Sequence, residues 1–173
     1  MKRYKILLSL LCVVVFVFLA VGSTGNDEEP AAEPEEVVEE PADEAAEDPE
    51  GVDEIAIFRD DILWNQEEIG FELTGLGDHL ANYDGSEGWY IGTESYIYEI
   101  RWLINDAEDN IVPPPEKQEH YNIYMEALQY IRESMNLLEE WMDTGNDEKL
   151  DELGEYMDMA EERIDEFQRM MDE

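Results

Sequence analysis

Residues 121–171 read YNIYMEALQYIRESMNLLEEWMDTGNDEKLDELGEYMDMAEERIDEFQRMM. In the first half Tyr121, Tyr124, Leu128, Ile131, Met135, Leu138 and Met142 recur at steps of three and four. That spacing gathers apolar side chains on one side of an α-helix. In the second half Leu150, Leu153, Met157, Ala160, Ile164, Phe167 and Met171 do the same. Between them stands Thr144-Gly145-Asn146-Asp147. Gly145 suits the left-handed position that ends a helix, and Asn146 or Asp147 can cap the next one. The stretch predicts a helical hairpin with a four-residue link.

Working upstream, Pro113-Pro114-Pro115 stops one helix and opens the next, since proline is tolerated in a first turn. Glu116 and Glu119 complement the positive end of that helix. Before the prolines Ile97, Ile100, Ile104, Ala107 and Ile111 form a third apolar stripe. Asn82-Tyr83-Asp84-Gly85-Ser86 is a cluster of turn residues. A fourth stripe precedes it: Ile55, Phe58, Ile62, Ile69, Leu73, Leu76 and Leu80, with Asn65 at the position where an apolar residue is missing. Four amphipathic helices joined by short links predict an all-α, antiparallel up-down-up-down four-helix bundle over residues 55–173. Each helix of about 25 residues would run roughly 37 Å.

The chain before the bundle reads differently. Lys2, Arg3 and Lys5 precede an apolar run from Ile6 to Val21, broken only by Ser9. A run of this length suits the apolar part of a secretory signal better than a spanning helix, which needs roughly 20 residues. Ala20-Val21-Gly22 offers small residues for cleavage after Gly22. Residues 1–22 are read as a signal peptide, with an uncleaved N-terminal anchor as the alternative. Cys12, the chain's single cysteine, follows Leu10-Leu11 and sits mid-segment, which disfavours a lipid-modified cysteine. Residues 23–54 are read as a disordered acidic linker, rich in Glu and punctuated by Pro30, Pro34, Pro41 and Pro49. Without apolar periodicity such a segment cannot offset its chain entropy, and its like charges extend it.

The 173-residue chain holds 47 acidic and 10 basic residues, a formal net charge of −37. Such a surface repels phosphate backbones, so nucleic acid is excluded as a partner. It attracts basic proteins and, weakly, divalent cations.

A second set of apolar residues stands apart from the core stripes. In the first helix Ile57, Trp64 and Phe71 recur every seven residues, roughly 150° from the core stripe at 100° per residue. Ile91, Tyr98 and Trp102 do the same in the second helix. In the third, Ile123, Tyr130, Leu137 and Trp141 lie nearer, about 125° from their stripe. One reading is a set of wide core faces with scattered surface aromatics. Another is a dimer interface or partner groove, since exposed apolar patches mark interaction sites. A cavity between helices is the third.

No catalytic or metal-binding constellation emerges. The bundle di-metal motif needs Glu-x-x-His pairs, but Leu76 and Lys117 occupy the places three before His79 and His120. The two histidines fall at opposite bundle ends, and His120 can pair with Glu116 one turn earlier. Around Asp143, Gly145 and Asp147 the calcium-loop pattern fails: Glu148 stands where glycine is needed and Gly154 where a bidentate Glu is needed. No cofactor, metal site or enzyme activity is expected.

The stretch from Pro113 through His120 to Tyr124, Ala127 and Leu128, followed by Gly145-Asn146-Asp147 and Leu153, Met157 and Ala160, resembles small uncharacterised exported helical proteins and lipoproteins of bacteria and archaea. The resemblance covers about the last third of the chain. It implies an extracytoplasmic location, a helical fold and a structural role for His120, with no activity attached. The expectation is a non-enzymatic extracytoplasmic module, secreted or anchored by its N-terminal segment. Ile57, Trp64, Phe71, Ile91, Tyr98 and Trp102 would carry self-association, as a homodimer, or binding of a protein partner. The alternative is a ligand- or cation-binding protein using clusters such as Asp60-Asp61 or Asp106, Glu108 and Asp109.

Overall fold

A computed structural model describes residues 53–171. The N-terminal segment 1–22 and all but the last two residues of the acidic linker lie outside the described residues. Four helices follow in order: α1 Glu54–Ala81, α2 Glu87–Asn110, α3 Gln118–Thr144 and α4 Glu148–Met171.

The boundaries follow from local chemistry. The Asp53 carboxylate accepts the Ala56 amide at 3.1 Å and caps α1, as a short acidic side chain does at a helix start. Between α1 and α2, Gly85 takes the left-handed conformation at φ 69°. The Asp84 carboxylate accepts the Ser86 amide, and Ser86 Oγ accepts the Trp89 amide to cap α2. The triple proline ends α2, but the chain first makes a 3-10 turn, Pro115–Lys117, before α3 begins at Gln118. Gly145, at φ 66°, ends α3 in the left-handed conformation expected of it. Asn146 Oδ1 then accepts the Glu148 amide at the start of α4.

The helices alternate in direction. Phe58 near the start of α1 meets Tyr121 at the start of α3. Tyr121 also donates to the Ala107 carbonyl late in α2, and His120 bonds the Met170 carbonyl at the end of α4. At the other end Tyr83, Trp89 and Trp141 make ring contacts. Up-down-up-down order is the arrangement these contacts describe.

The core is the four stripes. Phe58, Ile62, Ile69, Leu73, Leu76 and Leu80 of α1 are buried with Asn65 among them. Ile55 is a correction: in the first turn of α1 it is 41% exposed. Tyr121, Met142 and Met171, near the helix ends, are only partly buried. The Asn65 amide spans three helices, donating to the Leu103 carbonyl at 2.9 Å and accepting from Tyr124 Oη at 2.6 Å. Tyr124 is fully buried, and burial pushes its hydroxyl well above the ordinary value, so it stays a neutral donor.

The helix pairs are held by different means. α3 and α4 pack most closely, with Ala127 and Ser134 buried on one and Gly154 and Ala160 on the other. Ion pairs clamp α2 to α3: Arg101 grips Glu139 with both terminal nitrogens, and Arg132 grips Glu108 the same way. Arg163 to Glu126 and Lys149 to Glu140 tie α3 to α4. α1 takes no part in these clamps. It joins α2 instead through two glycines, each seating a ring from the opposite helix. A Cβ on Gly75 would lie 2.7 Å from the Tyr96 ring, and one on Gly92 would lie 2.6 Å from the His79 ring.

Candidate functional site

The second stripe divides as its angular distance suggests. On α3 the nearer residues Leu137 and Trp141 are buried, and Ile123 and Tyr130 are partly buried against the core. On α1 and α2 the farther residues Ile57, Trp64, Phe71, Ile91, Tyr98 and Trp102 each expose between 47% and 70% of their surface.

These six side chains share one face. Asn65 bonds opposite Leu103, and Gly75 lies against Tyr96. That antiparallel register places Phe71 level with Tyr98, and Trp64 within about one turn of Trp102. The residues of α1 that meet α2 are Asn65, Gly75 and His79. At 100° per residue Trp64 and Phe71 stand beside that seam, turned away from the core. On α2 the stripe lies opposite the buried Ile97, Ile100 and Ile104. The two helices thus form a layer whose outer side carries Trp64, Phe71, Tyr98 and Trp102 together.

The rim of this face is acidic. Asp60, Glu67 and Glu68 on α1 and Glu94, Glu99 and Asp109 on α2 are exposed. The basic residues of the two helices are engaged: Arg59 lies 3.7 Å from Asp60, and Arg101 is turned to Glu139 and Asn136 of α3. At the seam partial burial raises Glu72 above the ordinary carboxylate value, with further upward pushes from Glu99 and Glu68. The layer therefore combines apolar aromatic area with unbalanced negative charge.

The other candidate residues do not converge. His79 stacks on Trp89 at one end of the bundle. His120 sits at the other end, where its Nε2 faces the Met170 carbonyl and Lys117 Nζ rather than Glu116. Glu108 is drawn to Arg132 and Gln129 of α3, and the Arg132 bond holds its carboxyl below the usual range. Asp106 instead accepts from Asn110. The Asp106, Glu108 and Asp109 cluster is thus split. Among the described residues no group of three or more His, Cys, Asp or Glu side chains could hold a metal ion. Among them, too, no helix is long and apolar enough to cross a membrane.

Sequence reasoning missed three features. The seats at Gly75 and Gly92 were signalled only by glycine inside helical pattern, which implies a close approach. The aromatic cluster of His79, Tyr83, Trp89, Tyr90, Tyr96 and Trp141 joins residues far apart in sequence. Gln66 is buried with neither Nε2 nor Oε1 hydrogen-bonded, although it sits beside Asn65, whose nitrogen and oxygen both bond.

Comparison with known proteins adds no family: no family model, no curated protein and no solved structure matches the chain.

Proposed function

We propose that this protein is a non-enzymatic extracytoplasmic interaction module that docks through the outer face of α1 and α2. The observation that carries the reading is the exposure of six large apolar side chains on α1 and α2, with Trp64, Phe71, Tyr98 and Trp102 brought onto one solvent-facing layer. Those residues contribute little to the fold from such positions, whereas a partner's surface would bury them. The basic and then apolar start of the chain supports export, with the acidic segment 23–54 acting as a spacer.

The test is a polar variant of the full chain, Trp64→Ser with Trp102→Ser. For a docking face the melting free energy stays within about 0.5 kcal/mol, as for surface positions generally. Association is then lost, read by light scattering of the chain alone and by retention of envelope proteins on the immobilised chain. A variant that unfolds, or one whose association is unchanged, overturns the reading.

A further inference from the structure

We infer that the occupant of the α1–α2 face is a basic amphipathic helix of a partner protein, with apolar residues along one side and Lys or Arg flanking them. The inference rests on the docking reading and adds the chemistry of the partner. Two α-helices side by side leave a shallow groove between their ridges, into which the apolar side of a third helix can lie. Phe71 and Trp64 stand beside that groove on α1, and Tyr98 and Trp102 crown the outer side of α2 next to it, all with exposed rings. Aromatic side chains, Trp and Tyr above all, are the anchors of such interfaces.

Charge selects among the occupants that could cover those rings. The exposed carboxylates of Asp60, Glu67 and Glu68 stand along one helix, and those of Glu94, Glu99 and Asp109 along the other. Arg59 and Arg101 already have partners. A second copy laid face to face would bring the same carboxylates and no uncommitted α1 or α2 arginine, and like charges set opposite each other cost free energy. Anionic lipid and nucleic acid meet the same repulsion. Lys and Arg flanking an apolar stripe would meet these carboxylates and could also lie over the exposed indoles. Glu72, raised first by partial burial and further by Glu99 and Glu68, adds a third carboxyl to this cluster at the seam.

The experiment is a titration of the full chain with two synthetic helical peptides that share one leucine stripe. One carries lysine and arginine at the flanking positions and the other carries glutamate. Binding is followed by calorimetry and tryptophan emission, at low and high salt. The basic peptide should bind and the acidic one should not. The basic peptide's affinity should fall at least about tenfold between 0.1 M and 1 M salt, as the Debye length shrinks from about 10 Å to about 3 Å. Trp64→Ser with Trp102→Ser should weaken it at least about tenfold, the effect of removing anchor residues. Equal binding of both peptides would overturn the charge selection while leaving the docking reading in place. Tight binding of the basic peptide that ignores the tryptophan variant would place it elsewhere on the acidic surface and also overturn the inference. A dimer that depends on the same tryptophans, with no peptide binding, would make the occupant a second copy. Neither peptide binding nor dimerisation would bring down the docking reading itself.

Discussion

His79 and Trp89 bond each other twice: the imidazole Nε2 lies 2.9 Å from the Trp89 carbonyl, and the indole N–H donates to the His79 carbonyl at 3.1 Å. Their rings stack between those bonds, with centroids 5.4 Å apart and planes within 13°. The end of α1 is thereby latched to the start of α2 across a five-residue turn. Gly92 makes the latch fit, because the His79 ring occupies the space of a Cβ there.

Gly92→Ala should therefore destabilise the protein although alanine is the better helix former. The propensity gain is up to about 1 kcal/mol. Against it stand about 1–3 kcal/mol for overpacking and about 1 kcal/mol for a disturbed hydrogen bond. Gly88 is the control, since its nearest neighbour beyond the backbone, Ser86 Oγ, lies 3.8 Å from a built Cβ. Thermal melts should show Gly92→Ala lowered and Gly88→Ala unchanged or raised. A Gly92→Ala protein as stable as its parent would show that the ring yields freely.

Removing the Tyr124 hydroxyl should expose the dependence of three helices on one amide. Tyr124→Phe keeps the ring but leaves Asn65 Oδ1 without its buried donor. An unsatisfied buried acceptor costs about 1–3 kcal/mol. Denaturant unfolding should shift by that amount, with helical content at the start unchanged.

The neighbouring amide points the other way. Gln66 is buried with both polar atoms unpaired, so it carries a desolvation cost without return. Gln66→Met preserves length and shape and removes the polar atoms, and should stabilise the fold by about 1–2 kcal/mol. A fall in stability on that substitution would mean the amide has a partner that matters.

Acidification should at first strengthen the fold. Glu72 is raised above 4.5 by partial burial and by Glu99 and Glu68, and Glu161 by partial burial and by Asp165 and Asp158. For a raised carboxyl the folded chain holds the proton more tightly than the unfolded one. Its stability contribution is full below the ordinary value and is lost as pH rises through the folded value. Glu108 runs in the opposite sense, because its Arg132 bond is lost as pH falls through its lowered value. Melting temperature should climb as pH drops from 7 into the ordinary carboxylate range and decline well below that range, as Glu108 takes up its proton. Glu72→Gln should melt higher than the parent at neutral pH and climb less on acidification.

The bundle was legible because its stripes keep helical period along each helix, and because Gly145, the turn cluster from Asn82 to Ser86 and the triple proline are local signals read within a few residues. Even Asn65 showed as a gap in a stripe. Its role did not show, since its partners Leu103 and Tyr124 lie 38 and 59 residues away. Ile55 kept the period but stands in the first turn, where α1 has little beside it to bury against. The candidate face was legible in part. Angular distance separated Trp64, Phe71, Tyr98 and Trp102 from the core, but the register that gathers them on one layer is set by Gly75, Gly92 and Asn65. Neither glycine carries a side chain for pattern reading to find.

The cap at Asp53 also sets the orientation of what the bundle displays. The 28 residues of α1 rise about 42 Å at 1.5 Å per residue, and both tight turns, after Ala81 and after Thr144, close at the far end. A bundle held from its N-terminal side would stand upright, with the His79–Trp89 latch and the Trp141 ring at its summit. Ile57 would sit near its foot, and Trp64, then Phe71 with Tyr98 level beside it, would mark successive heights along one flank. A partner helix approaching from the side would then lie parallel to the upright rather than across its top.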